Sequence, residues 1–294
     1  MNVLITGIDG FTGKHLETLL ISKSYTVFGT VINRPDKDNH IECDIRHKDQ
    51  VYAVINQIKP DYIFHLAAIS FIGEKDKSLI YDVNVLGTQN ILDSLIFYNL
   101  NPRKIIIASS ATVYGNQGAN ILDESMCPKP ANHYGYSKLA MEHLAITYFS
   151  KLNILITRPF NYTGIGHNEN FIIPKIVKHF KSKKTNIELG NLDIAREFND
   201  IRIVIDIYFK LMTCNAKSDI VNICTGNVIK LKEILLCMQE IAGYKINIQV
   251  NPEFIRKNEI YSLKGSTKKM YNMIGIVNGL DIKHTLKLMY QSEI

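Results

Sequence analysis

The chain opens with a short apolar run that leads directly into a glycine-rich turn. Val3–Thr6 has the length and β-branched content of a buried strand, and the glycines after it are spaced Gly-x-x-Gly-x-x-Gly. Glycines at such a turn bring backbone N–H groups close to a phosphate and let the next helix pack tightly on the strand. The N-terminus of that helix adds partial positive charge. We therefore expect a dinucleotide to bind at Gly7, Gly10, Phe11, Thr12 and Gly13.

Short apolar runs alternate with helical stretches through the first 160 residues. The predicted strands are Val3–Thr6, Val27–Ile32, Tyr62–Leu66, Lys104–Ser109 and Ile154–Pro159. The predicted helices lie near His15–Lys23, Asp49–Lys59, Ser78–Asn99 and Tyr134–Lys151. This alternation predicts the α/β class, as a Rossmann-type doubly wound parallel sheet with right-handed crossovers.

The alternation loosens after about residue 163. We expect a basic helix, a loop-rich segment, a second helix, a late strand, a third helix and then an irregular basic tail. The first five are Lys175–Lys184, Ile187–Asn199, Ile201–Cys214, Val221–Cys224 and Leu231–Ala242. We expect residues 1–162 to form the dinucleotide-binding domain, with 201–228 returning to it. Residues 163–294 should form mainly a smaller α/β substrate lobe, interleaved with the first domain.

Composition excludes several classes of protein. With 46% hydrophobic and 21% charged residues, the chain of 294 residues is neither disordered nor a coiled coil. No apolar run reaches the ~20 residues of a membrane helix, and the start lacks the basic leader of a signal peptide. The five cysteines are scattered without CxxC spacing, so we expect no metal site, no disulfide framework and a cytoplasmic location. The net charge of +6 arises in the second half of the chain. Because that half contains no nucleic-acid-binding motif, the charge favours a small anionic ligand over nucleic acid or a membrane.

The end of the second predicted strand indicates which cofactor binds. NAD-binding folds of this type place an acidic residue there for the ribose hydroxyls. This chain has Asn33 followed by Arg34 instead. A guanidinium pairs well with a 2′-phosphate. The sequence therefore predicts NADP(H), with NAD(H) as the alternative.

Tyr134 and Lys138 begin a predicted helix with the spacing i, i+4. Residues at this spacing lie on one helix face. A free tyrosine titrates near pH ~10, and a neighbouring ammonium favours its phenolate. The pair could therefore exchange a proton with a substrate oxygen.

These motifs together resemble the extended, sugar-nucleotide-modifying branch of the short-chain dehydrogenase/reductase superfamily. The resemblance implies Ser110 as the third catalytic residue, in Ser109-Ser110-Ala111-Thr112-Val113-Tyr114-Gly115, with Ser109 as the neighbouring alternative. It also implies that Lys138 lowers the pKa of Tyr134 and holds the ribose. Further cofactor contacts are implied at Asp44, Ile45, Leu66, Ala67, Ala68 and Asn84.

Within this branch, the residues after Ser110 bear on the type of reaction. Sugar-nucleotide 4,6-dehydratases carry a glutamate there that removes the C5 proton, whereas this chain has Ala111 and Thr112. Dehydration is therefore disfavoured, and hydride chemistry at C4 remains. Arg34 favours an exchangeable NADPH and hence a reductase. The segment Ser-Ala-Thr-Val-Tyr-Gly also resembles UDP-galactose 4-epimerases, which leaves an epimerase with retained NAD as the alternative. A non-catalytic nucleotide-binding regulator is a third reading, which the intact Ser110, Tyr134 and Lys138 oppose.

The second half looks most like the GDP-mannose subgroup, which contains GDP-mannose 4,6-dehydratases and GDP-4-keto-6-deoxy-mannose reductases. The resemblance rests on Gly-Asn-Leu before Arg-Glu-Phe, and on a later Arg-x-x-Glu. It implies a GDP-sugar substrate, either a hexose or a heptose, and a homodimer formed through Leu86–Leu95 and Tyr134–Tyr148. The implied substrate contacts are Ser70, Thr112, Asn161, Asn170, Lys175, Asn191, Arg196, Arg256 and Glu259.

Overall fold

The computed structural model describes residues 1–70, 75–119, 121–254 and 261–292. Its centre is a parallel sheet of seven strands in the order β3-β2-β1-β4-β5-β6-β11. The strands are β1 (Asn2–Thr6), β2 (Thr26–Val31), β3 (His40–Glu42), β4 (Tyr62–His65), β5 (Lys104–Ala108), β6 (Ile154–Pro159) and β11 (Asp219–Ile223). The order reverses beside β1, and ligands of such folds bind at the carboxyl ends of the strands near this reversal.

Helices cover both faces of the sheet. They are α1 (Phe11–Ser22), α2 (Lys48–Ile58), α3 (Lys77–Tyr81), α4 (Gly87–Phe97), α5 (His133–Ile146) and α7 (Ile201–Thr213). Leu16 and Leu20 of α1 pack with Tyr208 of α7 on one face. On the other face, Val54 of α2 and Leu92 of α4 pack with Met141 of α5. The predicted α/β doubly wound sheet is confirmed.

A second core lies under the C-terminal elements, where Ile176, Ile234 and Leu286 are buried together. Its helices are α6 (Ile172–Lys181), α8 (Leu231–Ala242) and α10 (Ile282–Gln291), whereas α9 (Lys268–Ile274) packs on α7 and β11 of the large sheet. The short strands outside the large sheet are β7 (Tyr162–Thr163), β8 (Asn186–Leu189), β9 (Ala195–Arg196), β10 (Asn199–Asp200), β12 (Ile229–Lys230), β13 (Asn247–Val250) and β14 (Ser262–Leu263). Residues 201–223 return to the large sheet, because β11 pairs with β6. The division into two domains stays a prediction.

Three sequence predictions need correction. The helix predicted over Ser78–Asn99 is interrupted by a π-helical turn, Asp82–Leu86, between α3 and α4. The predicted helix Tyr134–Lys151 ends at Ile146, where the chain enters successive turns. The tail is not irregular, since α9 and α10 lie within it. Met270 of α9 is buried in the core of the large sheet, and Leu286 and Met289 of α10 are buried in the second core.

Among the described residues, none of the helices has the length and apolar character needed to cross a membrane.

Candidate active site

The glycine turn after β1 is built for close backbone approach. Gly7 has φ of +68°, and a Cβ on it would lie 2.9 Å from the Cα of Ala67. A Cβ on Gly13 would lie 2.6 Å from the carbonyl oxygens of Gly7 and Ile8. The turn therefore needs glycine at both positions, one for its backbone conformation and the other for helix–strand contact.

The N-terminus of α1 leaves its backbone donors open to a ligand. Gly10 is the N-cap residue and supplies no side-chain hydrogen bond, and the first turn holds no acidic residue. The first N–H groups of a helix lack partners within the helix, and its dipole favours an anion there. These features fit a pyrophosphate held by Phe11, Thr12 and Gly13.

Two side chains of this turn contact the segment after β6. The hydroxyls of Thr12 and Tyr162 lie 2.8 Å apart. Phe11 stacks on His167 with ring centroids 4.4 Å apart, and burial lowers the pKa of His167 to about 4. The cofactor turn is thereby joined to the chain that leads into α6, which begins the region predicted to bind substrate.

The end of β2 borders a cavity of about 420 Å³. Asn33 and Arg34 line it, and both are exposed. The walls also include Lys14 and Thr18 of α1. The structure therefore places the predicted 2′-phosphate residues beside the glycine turn.

Residues after β3 and β4 form the rest of the predicted cofactor site. Leu66 and Ala67 donate backbone N–H groups to Thr6, which holds the end of β4 against β1. Ala68 follows them, half-buried. Asp44 and Ile45 follow β3, but the Asp44 carboxylate is paired with Arg46, whose guanidinium lowers the pKa of Asp44.

Asn84 lies in the π-helical turn and is buried. Its amide accepts from the N–H of Ile69 and donates to the carbonyl of Ile69 and to the hydroxyl of Ser137. In this structure Asn84 therefore braces the loop after β4 against α5. A π-helical turn often marks a functional site.

Ser110 follows β5 and is the N-cap residue of a 3₁₀ turn, Ala111–Tyr114. Its Oγ accepts from the backbone N–H of Thr112 at 3.2 Å and from the Thr112 hydroxyl at 2.9 Å. Ser109 instead donates to Glu142 at 2.5 Å. Ser110 is thus the serine that shares a hydroxyl network with Thr112, while Ser109 belongs to a buried ion-pair cluster.

Tyr134 and Lys138 lie in the first turns of α5, one turn apart. Lys138 is buried, and its Nζ donates to the carbonyl of Ala108 at 2.7 Å. The Ser110 side chain lowers the pKa of Tyr134, so the two side chains lie close together. The structure therefore brings Ser110, Thr112, Tyr134 and Lys138 together where β5 ends.

The charges of this group differ from the expectation. Burial raises the pKa of Tyr134 to about 12, and the nearby Ser110 side chain lowers it only in part. The Lys138 ammonium donates to the carbonyl of Ala108, and the expected lowering of the Tyr134 pKa by Lys138 stays a prediction. Burial lowers the pKa of Lys138 to about 8, although the Glu142 carboxylate raises it. At neutral pH the tyrosine is a phenol and the lysine carries a proton.

A buried ion pair lies behind this group, and the site assignment from sequence does not include it. Arg158 of β6 donates to both oxygens of Glu142, at 2.9 and 2.6 Å. The Arg158 guanidinium also lies over the ring of Tyr114 at 4.8 Å. Glu142 follows Lys138 by four residues, which is the spacing that could have indicated it.

The residues predicted to contact substrate are spread over several elements. Asn161 and Asn170 are exposed on the chain between β6 and α6. Lys175 of α6 donates to the carbonyl of Glu188, and Asn191 accepts from the N–H of Asp193. Arg196 is buried in β9. Ser70 is exposed beside the cofactor loop, and Arg256 and Glu259 lie outside the described residues.

A further buried carboxylate, Glu197, joins three loops near β9. It accepts from the N–H groups of Gly265 and Thr225, at 2.6 and 2.8 Å. Burial raises the pKa of Glu197, although these hydrogen bonds lower it. The position of Glu197 directly after Arg196 in the sequence could have indicated this residue. Its contacts hold the loops together.

Comparison with known proteins agrees with this geometry. The family model described as GDP-mannose 4,6 dehydratase matches residues 4–289. GDP-6-deoxy-D-talose 4-dehydrogenase of Aggregatibacter actinomycetemcomitans is 36% identical over 94% of this chain and 92% of its own length. GDP-6-deoxy-D-mannose reductase of Pseudomonas aeruginosa is 27% identical over 97% of this chain and 94% of its own.

Solved structures match over nearly the full chain. A protein from Burkholderia cenocepacia J2315 is 36% identical with a TM-score of 0.92, covering 98% of this chain and 96% of its own. RMD from Pseudomonas aeruginosa, complexed with NADPH, is 25% identical with a TM-score of 0.88, covering 98% of this chain and 97% of its own. The chain therefore belongs to the GDP-mannose 4,6-dehydratase family, within the epimerase and dehydratase branch of the short-chain dehydrogenase/reductases.

Proposed function

We propose that this chain is an NADPH-dependent reductase of the C4 ketone of a GDP-4-keto-6-deoxy sugar. The sugar is of the mannose or manno-heptose type, and the product is a GDP-6-deoxy sugar for surface polysaccharide synthesis. The observation that carries the proposal is the Ser110, Thr112, Tyr134 and Lys138 group after β5, at the same edge of the parallel sheet as the glycine turn after β1. That group can protonate an oxygen next to a bound dinucleotide.

The protonation states of the site suit reduction. Bound NADPH supplies a hydride to the sugar C4. Because its pKa is about 12, Tyr134 holds a proton at neutral pH and can donate it to the C4 oxygen as that oxygen becomes an alkoxide. Ser110 orients the same oxygen through its hydroxyl. The Lys138 ammonium stabilises the phenolate that Tyr134 leaves behind.

Two observations favour a reductase over the other readings. Thr112 stands where a dehydratase would carry its glutamate and hydrogen-bonds Ser110, so the site offers no carboxylate at that position to remove a C5 proton. The relatives matched at 36% and 27% identity are named for oxidation or reduction of GDP-6-deoxy sugars. A 4-epimerase with retained NAD remains the alternative that the experiments must exclude.

The cofactor assignment is supported by Arg34 and by the NADPH complex of the related reductase structure. We assign pyrophosphate contacts to Gly7, Gly10, Phe11, Thr12 and Gly13, and the 2′-phosphate to Asn33 and Arg34. Asp44, Ile45, Leu66, Ala67, Ala68 and Asn84 surround the remaining cofactor, and the sugar nucleotide lies against the predicted substrate residues.

A homodimer is also part of the proposal. Leu86, Phe97 and Ile146 are exposed at the ends of α4 and α5 by 50%, 69% and 39%. These two helices pack side by side. Such apolar side chains are typical of an interface, and a second copy of the chain would cover them in a cytoplasmic enzyme. Light scattering should give twice the chain mass, and a monomer would contradict this part.

The proposed reaction is tested by mixing the purified chain with NADPH and GDP-4-keto-6-deoxy-mannose or its heptose homologue. We expect stoichiometric loss of the absorbance of reduced nicotinamide, with a single GDP-6-deoxy sugar as product. No oxidation of NADPH with either ketone would contradict the proposal.

A further inference from the structure

The cavity at the end of β2 contains a buried carboxylate that the cofactor assignment does not use. Glu17 of α1 lines this cavity, yet it is only 3% exposed. Its oxygens accept hydrogen bonds from Lys37 at 2.7 Å, from Asn39 at 3.0 Å and from His40 at 3.1 Å. Burial raises the pKa of Glu17, but these hydrogen bonds outweigh it and hold the pKa below its ordinary value. Glu17 is therefore a charged carboxylate with three donors directed at it.

Lys37 lies between this carboxylate and the open part of the cavity. Its side chain is half exposed, whereas that of Glu17 is almost fully covered. Arg34 and Lys14 line the same cavity. An ammonium has three donors, so one hydrogen bond to Glu17 leaves others for a ligand in the cavity. Two acidic residues, Asp9 and Asp36, also line the walls.

The segment that carries Lys37 is fixed to β2. Asn39 donates from its side chain to the carbonyl of Val27, and its own carbonyl accepts from Gly29. The N–H of His40 in turn donates to the carbonyl of Lys37. The ammonium of Lys37 is thus held in place before any ligand binds, which reduces the entropy lost on binding.

We propose that Lys37 is a specificity-determining residue of the cofactor site, pairing with the 2′-phosphate together with Arg34 and covering the carboxylate of Glu17. This inference rests on the proposed function. A carboxylate open to this cavity would accept hydrogen bonds from ribose hydroxyls and repel a phosphate dianion, which is the arrangement that selects NAD. Lys37 reverses that preference by neutralising the acid and offering a cation in its place.

The test measures binding, by calorimetry on the full-length protein. The ligands are NADPH, NADH and 2′,5′-ADP, which carries the 2′-phosphate without nicotinamide. A hydrogen bond to a charged group contributes about 1.5–3 kcal/mol. Lys37→Met should therefore weaken NADPH and 2′,5′-ADP by about 10-fold to 100-fold. NADH affinity should stay unchanged or rise.

Companion variants separate the two roles of Lys37. Lys37→Met combined with Glu17→Gln should recover part of the affinity for 2′,5′-ADP, because the exposed negative charge is gone. Lys37→Gln keeps an uncharged hydrogen-bond donor toward Glu17 and should lose as much affinity for 2′,5′-ADP as Lys37→Met. It therefore tests the role of the Lys37 charge if Lys37→Met folds poorly. Lys151→Met, at an exposed position after α5, is the matched control and should bind all three ligands normally.

The inference is overturned if both Lys37→Met and Lys37→Gln bind 2′,5′-ADP as tightly as the wild type. That result leaves the proposed function intact as long as the wild type still reduces the ketone with NADPH. If the proposed function is wrong, the result is different: the wild type binds 2′,5′-ADP but does not oxidise NADPH in the presence of the ketone.

Discussion

The hydroxyl of Thr112 donates a hydrogen bond to the Oγ of Ser110 over 2.9 Å. A side chain predicted to contact substrate is thus a direct partner of the serine predicted to contact the reacting oxygen. With its lone pairs engaged by Thr112, Ser110 is left to direct its own proton elsewhere, and its side chain lowers the pKa of the nearby Tyr134. Thr112 therefore orients the catalytic serine.

Removing the Thr112 hydroxyl should reduce turnover without abolishing it. Thr112→Val keeps the side-chain shape and leaves Ser110 with only the backbone N–H of residue 112 as a donor, so we expect kcat to fall less than in Ser110→Ala. The affinity for NADPH should not change. Steady-state kinetics of the two variants provide the comparison, and a Thr112→Val enzyme with wild-type kcat would contradict the orienting role.

Removing the Tyr134 hydroxyl should cost most of the activity. A positioned general acid contributes about 10²-fold to 10⁴-fold to a rate, so we expect a loss of this size in kcat for Tyr134→Phe. Binding of NADPH should persist. Tyr136→Phe is the matched control, because Tyr136 lies on the same helix but is 47% exposed. Equal activities of the two variants would show that the acid is another group.

The rate should fall as the pH rises through about 8. Lys138 has a pKa of about 8, lowered by burial, so it is an ammonium below this pH and neutral above it. Loss of the ammonium removes the charge that stabilises the Tyr134 phenolate. Because the Glu142 carboxylate raises the pKa of Lys138, Glu142→Gln should move the fall to lower pH. A profile of kcat/KM that stays flat to pH ~10, near the ordinary lysine value, would contradict this role.

The Glu142 and Arg158 pair should matter for stability as well. Both side chains are buried, and each is the other's charge partner. Removing one partner of a buried pair costs about 3–5 kcal/mol, since it leaves the other charge uncompensated. We expect this loss in the free energy of unfolding of Glu142→Gln, measured with urea. Glu240→Gln breaks an exposed pair with Lys283 and should change little, so similar losses in both variants would be inconsistent with the account.

The sheet and the catalytic group could be predicted from the sequence, but the residues that hold the catalytic group in place could not. The positions of the strands and of the glycine turn could be predicted from local patterns, because apolar runs and glycines determine the conformation of the segment that contains them. The spacing of Tyr134 and Lys138 likewise places them on one face. The Ala108 carbonyl that holds Lys138 and the Lys37 ammonium that pairs with Glu17 come from distant segments, and no local pattern indicates them. For the same reason the tail was expected to be irregular, although α10 packs against α6 and α8.

Transfer of a labelled hydride from NADPH to the sugar distinguishes a reductase from an epimerase. The chain would be incubated with NADPH deuterated on the transferring face of nicotinamide C4 and with GDP-4-keto-6-deoxy-mannose, and the sugar product examined by NMR. A reductase places one deuterium on C4 of the product for each NADPH consumed. Unchanged ketone with no consumption of NADPH would contradict the reductase assignment. Conversion of a GDP-6-deoxy hexose into its C4 epimer without added cofactor would favour an epimerase that keeps its own cofactor.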